Sequence, residues 1–443
     1  MSHIIIIGNG ISGITTARHV RKLSDDQITV ISGETDYFFS RTALMYIYMG
    51  HMKYEHTKPY EDWFWEKNKI ALKKAWVTNI DINAQELSFA DGEKMTYDKL
   101  VLSLGSKPNK FGWPGEDLIG VSGLYSYQDL EYIEKHSKDI DKAVIVGGGL
   151  IGVELAEMFH SRKIDVSFLV REKSFWDVML PKEESAMINK EILDHHIDLR
   201  LETELKEIVS DENGRVKAIV TGNGETIPCQ FVGLTAGVSP NIALVENSGI
   251  ESKRGILVDE YLQTNIPNVF AVGDCAEFRN PLPGRRSIEQ VWYTGRMQGE
   301  TLARTLTGKQ TAYRPGIWFN SAKFFNIEYQ TYGTVLVNLK ENENRLYWEH
   351  ASGKICLKVV FDSSTQEVIG INTFGIRMRH KVWDKWLREK RDLHYVMKNL
   401  EEANFDPEFF KRYENQIREV YNNMFPDNKI EPVKKGFLQS IFN

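Results

Sequence analysis

A buried strand, a glycine-rich turn and a helix follow one another twice in this chain. The first copy, HIIIIGNGISGITTARHV, spans residues 3–20, and the second, AVIVGGGLIGVELAEM, spans residues 143–158. In each copy a β-branched apolar run, typical of a buried parallel strand, ends at glycines spaced as G-x-G-x-x-G. A helical pattern follows at once. The repetition predicts two βαβ modules within one chain.

The spacing of the glycines has a physical reason. The first glycine permits the tight turn, the second lets the backbone approach a pyrophosphate, and the third lets the helix pack close to the strand. Free N–H groups at the start of the helix then meet the phosphates. The pattern therefore predicts dinucleotide contacts for six glycines, namely Gly8, Gly10, Gly13, Gly147, Gly149 and Gly152.

The two modules differ after their second strand. In the first, Glu34 follows the strand at 28–31 and lies about where a carboxylate would hold an adenosine ribose, with a solvated turn residue as the alternative. In the second, Arg171 ends the strand and Glu172 follows. Arg171 can pair with a 2′-phosphate, which favours NADPH, whereas the alternative is a solvated Arg171 with Glu172 on the ribose of NADH. Two different dinucleotides are expected.

Length and composition limit the classes of protein to which this chain could belong. A chain of 443 residues exceeds the usual span of one core and accommodates two or three domains. A net charge of -6 gives no reason to expect nucleic acid. Cys229, Cys275 and Cys356 lie far apart without CxxC spacing, so neither a disulfide framework nor a zinc site is indicated. No signal peptide or apolar run of about 20 residues occurs, and we expect a cytoplasmic protein without a transmembrane segment.

Three further motifs occur in a fixed order, the first between the two glycine patterns and the other two after them. They are YDKLVLSLGSKP at 97–108, LTAGVSPN at 234–241 and TNIPNVFAVGDCAEF at 264–278. Together with the glycine patterns they make residues 3–335 resemble the FAD-dependent pyridine nucleotide oxidoreductase superfamily. Its corresponding motifs are Y-D-x-L-x-x-A-T-G-x-x-P, A-x-G-x-x-P-N and T-x-x-x-x-I/V-F-A-x-G-D-C. Ser103 and Leu104 depart from the first of them by replacing Ala and Thr.

The resemblance implies an α/β fold with two Rossmann-like dinucleotide-binding domains, one for FAD and one for NAD(P), plus a C-terminal α+β domain. We expect a discontinuous FAD-binding domain at 1–112 and 240–312 and an NAD(P)-binding domain at 113–239. The C-terminal α+β domain with a helical tail would take 313–443. Cys275, beside the flavin-binding aspartate of the family, is expected to be a buried structural thiol.

The C-terminal region has its own pattern. Short β-rich runs at 334–339 (TVLVNL), 354–361 (KICLKVVF) and 367–374 (EVIGINTF) predict a small antiparallel sheet. From about residue 377 the pattern becomes helical. The pattern places three residues on one helical face, namely Val382, Trp386 and Leu387, and Asp406-Pro407 is expected to open another helix.

The resemblance also implies roles for particular residues. Asp274 would hydrogen-bond the FAD ribityl chain, and Val77 would meet the adenine. Arg41 would lie near the FAD pyrophosphate, with a surface helix-start arginine as the alternative. A helix beginning near 289–292 would point its positive end at the N1–C2=O edge of the flavin. The motifs imply seven further cofactor-binding residues, namely Gly105, Glu154, Gly237, Glu289, Gln290, Val291 and Trp292. Neither a catalytic side chain nor a metal ligand is implied.

The stretch after Glu34 indicates which branch of the superfamily the chain resembles. Disulfide reductases carry a cysteine pair there and peroxide-reducing relatives carry one cysteine, whereas residues 34–50 contain none. The stretch instead resembles ferredoxin and rubredoxin reductases and the flavin module of nitrite reductases, with Phe39 in place of a tyrosine. Tyr46 departs from the pattern, because many ferredoxin reductases have there a lysine paired with the glutamate that Glu154 matches.

The branch implies an FAD-dependent NAD(P)H oxidoreductase that passes electrons to a protein, in first place a small iron–sulfur or rubredoxin-like carrier. A quinone or small-molecule reductase and a flavin-bound interaction or sensor protein are the alternatives. Basic residues within 377–391 would form either a docking surface for an acidic carrier or a solvated helix face. The tail at 434–443 is compatible with contact to a membrane surface or with packing against the body. A homodimer interface in the C-terminal region is also implied.

Overall fold

The protein is described here by a computed structural model that covers residues 1–405 and 411–432. It divides into two compact units. The first unit comprises Met1–Arg171 and Glu202–Pro315, and the second comprises Glu172–Leu201 and the described residues from Gly316 onward. The helix expected to open at Asp406-Pro407 and the tail at 434–443 both lie outside the described residues.

The strands are short and outnumber the helices. In chain order the strands are β1 (His3–Ile7), β2 (Gln27–Ser32), β3 (Ile70–Lys74), β4 (Val77–Asp81), β5 (Glu86–Phe89), β6 (Lys94–Thr96), β7 (Lys99–Leu102), β8 (Ser106–Pro108), β9 (Val121–Ser122), β10 (Lys142–Val146), β11 (Asp165–Leu169), β12 (Asp198–Arg200), β13 (Leu205–Ser210), β14 (Val216–Thr221), β15 (Thr226–Pro228), β16 (Phe231–Leu234), β17 (Val238–Pro240), β18 (Ile256–Val258), β19 (Val269–Ala271), β20 (Ala276–Phe278), β21 (Phe319–Phe324), β22 (Ile327–Gly333), β23 (Glu343–Glu349), β24 (Cys356–Asp362) and β25 (Val368–Phe374). The α-helices are α1 (Ile11–Leu23), α2 (Leu44–Tyr48), α3 (Trp63–Lys67), α4 (Tyr127–His136), α5 (Leu150–Ser161), α6 (Lys182–Asp194), α7 (Trp292–Leu306), α8 (His380–Arg388), α9 (Leu393–Lys398) and α10 (Glu414–Met424). In the part of the chain that the structure describes, none of the helices is both long and apolar enough to span a bilayer.

The first unit contains a parallel sheet built around the N-terminal strand. Its order is β19-β7-β1-β2-β3, with every neighbouring pair parallel. The β-branched run of β1 lies at the centre, and Ile4, Ile5 and Ile6 are fully buried. Parallel strands need helical crossovers, and α1 makes the crossover from β1 to β2. The first glycine turn therefore lies at the carboxyl edge of the sheet, where ligands bind in such folds.

The second glycine pattern builds a second parallel sheet in the same unit. Within this unit its strands run in the order β11-β10-β16-β9. Helix α5 follows β10 as α1 follows β1, and Ala143, Val144 and Ile145 are fully buried. The α/β class with two Rossmann-like sheets is thereby confirmed.

The second unit is an antiparallel sheet with helices. Its strands run in the order β21-β22-β25-β24-β23, and all neighbours are antiparallel. The core of this unit includes Leu357 and Ile371 from the sheet and Trp383, Val396 and Ile417 from the helices. The predicted C-terminal combination of a small antiparallel sheet and helices is confirmed.

One detail of the C-terminal pattern was wrong. The run at 334–339 is not a strand, because Gly333, with a φ of +70°, turns the chain at the end of β22. The edge strand of the sheet is β23 instead. On α8 the predicted face of Val382, Trp386 and Leu387 packs against the core of the second unit, with Val382 half-buried. The fully buried Trp383 belongs to the same core and was not predicted. Trp383 lies three residues before Trp386, the spacing that puts two side chains on one helical face.

The placement of residues 172–201 also differs from the expected boundary. The sequence assigned them to the NAD(P) domain at 113–239, whereas the structure groups them with the second unit. The reason is electrostatic as well as apolar. Glu183 at the start of α6 is paired with Arg345 at 2.8 Å and with Lys358 at 3.0 Å, both from strands of the second unit. The division into FAD, NAD(P) and C-terminal domains itself stays a prediction.

Candidate dinucleotide sites

In the first glycine turn, only one of the three glycines has open space where a Cβ would be. This open backbone position at the start of α1 is the first cradle. Gly8 has a φ of +110°, and a Cβ there would lie 2.0 Å from the carbonyl oxygen of Ser103. A Cβ on Gly13 would lie 2.1 Å from the carbonyl oxygen of Gly8. In contrast, a Cβ on Gly10 would meet no heavy atom within 4 Å. The backbone is therefore closely packed on two sides and open at the start of α1, where a phosphate would bind.

The second turn repeats this geometry. Gly147 has a φ of +120°, and its Cβ would lie 2.6 Å from the carbonyl oxygen of Thr235. A Cβ on Gly152 would lie 2.3 Å from the carbonyl oxygen of Gly147, and one on Gly149 would meet nothing within 4 Å. Both cradles thus fit a pyrophosphate at the N-terminus of a helix, α1 in one case and α5 in the other.

Glu34 and Arg41 are brought together by the structure. Oε1 of Glu34 accepts hydrogen bonds from Nη1 of Arg41 and from the backbone N–H of Tyr127, both at 2.8 Å. Oε2 accepts one from Nη2 of Arg41 at 2.6 Å. Since a carboxylate oxygen has two lone pairs, Oε2 retains one acceptor direction for a ribose hydroxyl. The sequence predicted a ribose contact and a pyrophosphate contact for these two residues but not their mutual ion pair.

A second hydrogen-bond network surrounds Asp274. Its Oδ2 accepts from the hydroxyls of Tyr125 and Ser106, each at 3.2 Å. Gln290 donates to the hydroxyl of Ser106 at 2.7 Å. Burial raises the pKa of Asp274, and the hydrogen bonds from Tyr125 and Ser106 act in the opposite direction. This donor set fits a carboxylate that is held in place while a ligand hydroxyl approaches.

Sequence reasoning missed Ser106 and Tyr125. Ser106 directly follows Gly105 in the motif at 97–108, so its position next to a predicted cofactor residue was a usable signal. Tyr125 precedes Ser126, which caps α4 together with Asp129 in a reciprocal capping box. That S-x-x-D spacing is visible in the sequence and would have placed Tyr125 at a helix start. Nothing local predicts its contact with Asp274.

The motifs around Gly105 and Gly237 meet through the antiparallel pair of β8 and β17. The side-chain amide of Gln290 also donates to the carbonyl oxygen of Val238 at 3.3 Å, which ties the segment before α7 to β17. The helix expected near 289–292 begins at Trp292, with Val291 as its N-cap. Three motifs separated in the chain thus converge beside Asp274.

The carboxylate of Glu289 is occupied by other protein groups. Arg285 donates to it from Nε at 2.5 Å and from Nη2 at 2.6 Å, and the hydroxyl of Thr294 donates at 3.2 Å. The cofactor contact that the motif implied for Glu289 would therefore involve its backbone or follow from the way it holds the loop.

The N-termini of α1 and α7 lie side by side. A Cβ on Gly295, in the first turn of α7, would lie 3.5 Å from the Cβ of Ser12 in the first turn of α1, and one on Gly273 would lie 2.4 Å from the Ser12 hydroxyl. The backbone N–H of Gly273 donates to the side-chain carbonyl of Gln298 at 2.7 Å. Two helix N-termini therefore present partial positive charge next to Asp274, which suits an anionic ligand.

Val77, expected to meet the adenine, follows a residue that packs on the segment before Glu34. Val77 is the first residue of β4, and the indole of Trp76 packs over Gly33, where a Cβ would lie 2.2 Å from the ring. Gly33 directly precedes Glu34. Val77 thus directly follows the residue that packs on Gly33, and its contact with the adenine stays a prediction.

In the second module Arg171 is exposed just beyond β11. Its neighbour Val170 is fully buried and contacts the glycine turn, since a Cβ on Gly148 would lie 2.7 Å from the Val170 side chain. Arg171 therefore directly follows the residue that packs on the second glycine turn. This placement suits contact with the ribose end of a nucleotide.

Glu154 on α5 is half-buried and, within residues 1–405 and 411–432, has no hydrogen-bond or ion-pair partner. Burial raises the pKa of Glu154 to about 7, and the nearby charge of Glu157 adds to the increase. Tyr46, in the position of the lysine of ferredoxin reductases, stacks on His51 with ring centroids 6.1 Å apart. The expectation that the surroundings of Glu154 differ from those in that branch stays a prediction.

The cysteines are not placed for thiol chemistry. Cys229, Cys275 and Cys356 are all free and buried. Burial raises the pKa of Cys275 to about 12, and its thiol contacts the carbonyl oxygens of Leu102 and Val272 at 3.5 and 3.4 Å. A thiol in this state is a weak nucleophile, which agrees with a structural role.

Residues 2–299 match the model of the pyridine nucleotide-disulphide oxidoreductase family. The chain belongs to this family, and by class it is an FAD-dependent NAD(P)H oxidoreductase. The two open glycine cradles and the Asp274 network are the features of the structure that fit the two dinucleotides.

Curated relatives share about 30% of the sequence. The chain is 30% identical over 280 residues to the nitrite reductase [NAD(P)H] of Bacillus subtilis, covering 62% of this chain and 34% of that protein. It is 30% identical over 357 residues to the NADH oxidase of Methanocaldococcus jannaschii, covering 77% of this chain and 78% of that protein. It is 28% identical over 312 residues to the ferredoxin reductase component of chlorobenzene dioxygenase from a Cupriavidus species, covering 70% and 75%. The chain thus spans only about a third of the nitrite reductase.

A solved structure has the same fold. The ferredoxin reductase of the CYP199A2 system from Rhodopseudomonas palustris superposes with a TM-score of 0.77 at 22% identity, covering 85% of this chain and 91% of that one. At this identity the likeness concerns the fold alone.

Proposed function

We propose that the protein oxidises NAD(P)H and passes the electrons to a small iron–sulfur or rubredoxin-like protein. The observation that carries the proposal is the pair of open cradles, at Gly10 and Gly149, with different residues beyond them. We assign 1–112 and 240–312 to the FAD domain, 113–239 to the NAD(P) domain and 313–443 to the C-terminal domain. When bound, FAD accepts a hydride from NAD(P)H and can release electrons singly.

The side chains of this protein bind and orient in the proposed reaction. Glu34 would hold the adenosine ribose through Oε2, and Asp274 would hold the ribityl chain. The N-terminus of α7 would stabilise negative charge on the reduced ring system. No covalent step by a side chain is required, which agrees with the buried state of all three cysteines.

The nicotinamide cofactor is proposed to be NADPH in preference to NADH. The exposed Arg171 just beyond β11 supports this choice, because a guanidinium pairs with a 2′-phosphate through two hydrogen bonds. We expect Arg171→Ala to lower the ratio of kcat/KM for NADPH to that for NADH by about tenfold, with Lys173→Ala as the neighbouring control. An unchanged ratio in Arg171→Ala would contradict the 2′-phosphate contact.

The electron acceptor is proposed from the relatives. One relative is named as a ferredoxin reductase component, which supports an iron–sulfur protein. Another is named NADH oxidase, which favours a small-molecule oxidant as the second candidate. The absence of a cysteine pair in this chain argues against a disulfide substrate.

Rapid-mixing experiments on the purified protein test the proposal. We expect a yellow protein with one FAD per chain that NADPH bleaches anaerobically within the turnover time. The reduced protein is then mixed separately with a [2Fe–2S] ferredoxin, a rubredoxin, menadione and oxygen. Fastest reoxidation by an iron–sulfur protein supports the proposal, whereas fastest reoxidation by menadione or oxygen supports the second candidate. Bleaching much slower than any turnover would identify a sensor, and a folded protein unable to bind FAD would reject the assignment.

A further inference from the structure

Tyr125 contacts both groups of residues that are expected to hold FAD. Its hydroxyl donates to Oδ2 of Asp274 at 3.2 Å. Its backbone carbonyl accepts from Nη1 of Arg41 at 2.5 Å, and the Arg41 guanidinium lies 4.8 Å from the centre of its ring. Arg41 in turn is paired with Glu34. One residue thus contacts both Asp274 and the pair of Arg41 with Glu34.

The direction of the Tyr125 hydrogen bond is set by a second contact. The backbone N–H of Ser106 donates to the Tyr125 oxygen at 2.8 Å. A phenol has a single proton, so the proton of Tyr125 is directed to the remaining partner, Asp274. Gln290 sets the direction of the Ser106 hydrogen bond in the same way. Its side-chain amide donates to the Ser106 oxygen, so the Ser106 proton is directed to Asp274.

The two hydroxyl donors use one oxygen of Asp274 and leave the other open. Both donate to Oδ2, whereas Oδ1 has no hydrogen-bond partner among the residues that the structure describes. At the other end, Oε2 of Glu34 also retains one acceptor direction. Each carboxylate therefore offers an oriented oxygen to a hydroxyl group. FAD carries such hydroxyls in its ribityl chain and in its ribose.

We infer that Tyr125 is a positioning residue for FAD. Its hydroxyl fixes the orientation of Asp274 and thereby of the open carboxylate oxygen. Its backbone carbonyl and its ring hold Arg41 and thereby the pair of Arg41 with Glu34. The inference rests on the proposed use of FAD. The two contacts come from different atoms of Tyr125, so they can be separated by substitution. Removing the hydroxyl should affect the ribityl end and spare the ribose end.

The test compares Tyr125→Phe with Tyr132→Phe. Tyr132 lies on α4 and also accepts a backbone N–H, from Gly120 at 3.0 Å, but it touches neither carboxylate. Binding of FAD, riboflavin and ADP to the full-length apoprotein is measured by fluorescence and calorimetry. In Tyr125→Phe we expect Kd to rise about tenfold for FAD and riboflavin and to stay unchanged for ADP. Tyr132→Phe should match the wild type for all three.

A pH profile separates positioning from a merely structural role. Without the Tyr125 hydroxyl the carboxylate of Asp274 loses a donor, so its pKa should rise further. The pH below which FAD affinity falls should therefore move upward in Tyr125→Phe and stay in place in Tyr132→Phe. Ser106→Ala removes the other hydroxyl donor from Oδ2 and should shift the profile in the same direction, which keeps the inference testable if Tyr125→Phe folds poorly.

Three results would overturn the inference. Wild-type affinity and an unshifted pH profile in both Tyr125→Phe and Ser106→Ala would show that the hydroxyl donors do not position Asp274. Equal losses for riboflavin and ADP would indicate a general structural defect. Failure of the wild-type protein itself to bind FAD would reject the proposed function, and the inference with it, so the two failures are distinguishable.

Discussion

At the scale of single residues, the glycines of the two turns are not equivalent. Gly8 and Gly147 have positive φ angles that a side chain rarely adopts, and a Cβ there would collide with a backbone carbonyl. Gly10 and Gly149 have open space where a Cβ would be. The first pair is required by folding, whereas the second pair is required only when a ligand fills the space.

This difference yields a paired prediction. We expect Gly10→Ala to fold normally but to lose most of its FAD, because the methyl group would occupy the space of the pyrophosphate. Gly149→Ala should remain yellow and fail to be bleached by NADPH at concentrations that saturate the wild type. The measurements are FAD content, thermal midpoint and anaerobic bleaching.

Gly8→Ala is the matched control for these variants, since its Cβ would lie 2.0 Å from a carbonyl oxygen. It should lower the thermal midpoint, whereas Gly10→Ala should not. If Gly149→Ala lost FAD and Gly10→Ala kept it, the assignment of the two cradles would have to be exchanged.

At the scale of elements, helix α6 carries two adjacent glutamates whose pKa values are shifted in opposite directions. Glu184 is fully buried, and burial raises its pKa to about 7 against the opposing effects of Lys358 and Asn372. Glu183 is partly exposed. Partial burial would raise its pKa, but backbone hydrogen bonding together with Lys358 and Arg345 outweighs this and lowers it. The two carboxylates should therefore change stability with pH in opposite directions.

The prediction concerns stability between pH 4.5 and 7. Because the folded pKa of Glu184 lies above the ordinary value of 4.5, the folded state holds more protons in this window, and the free energy of unfolding falls as pH rises. Glu184→Gln should remove this fall and should be more stable than wild type at pH 8, by up to about 3 kcal/mol at 1.36 kcal/mol per pKa unit. Urea unfolding across pH 5–8 measures the effect.

Glu183→Gln provides the control of opposite sign. Its carboxylate has a lowered pKa, so its stabilisation is present above the unfolded pKa and is lost as pH falls through the folded value. Glu183→Gln should therefore be less stable than wild type at pH 8. A Glu184→Gln variant that is less stable than wild type at pH 8 would show that the charge of Glu184 is favourable there.

At the scale of the whole molecule, the basic run at 377–391 is only partly available to a partner. Arg377 pairs with Glu328 and Arg388 with Asp384, while Lys390 and Arg391 also have acidic partners. Three exposed cations have no ion-pair partner within the described ranges, namely Arg379, Lys381 and Lys385. We propose these three as the residues through which an acidic carrier would dock.

We therefore predict the effect of reversing these three charges to Glu. Electron transfer to an acidic [2Fe–2S] ferredoxin should slow about tenfold at low ionic strength, because charged patches accelerate association, and the difference should shrink in high salt. Bleaching by NADPH and reoxidation by uncharged menadione should not change. Arg377 is left intact so that its pair with Glu328 is preserved.

A second variant with the same change in net charge controls for the effect of net charge on the electrostatic field of the whole protein. Lys138, Lys253 and Lys309 are exposed residues of the first unit and are also reversed to Glu. Equal slowing in both variants, or no slowing in either, would return the basic run to an ordinary solvated helix face.

The sequence was sufficient to predict the structure wherever that structure is determined by interactions between residues close in the chain. A β-branched run next to glycines that need positive φ specifies a strand and a tight turn within a few residues, so both cradles and the order of the motifs could be predicted. The apolar spacing on α8 also predicted the core-facing residues Val382, Trp386 and Leu387, although it left out Trp383. Residues 334–339 were mispredicted because apolar strand-formers do not reveal a chain turned away by Gly333.

Only the tertiary structure decided which distant residues meet. Tyr125 and Ser106 reach Asp274 across 149 and 168 residues of chain, and no local pattern records such a contact. The pair of Arg41 with Glu34 is close in sequence, but the orientation of that pair depends on the backbone of Tyr125 and Tyr127 from a different module. The membership of residues 172–201 likewise depends on cations more than 160 residues away. Local conformation is encoded by neighbours, whereas a hydrogen-bond network is encoded by the packing of the whole sheet system.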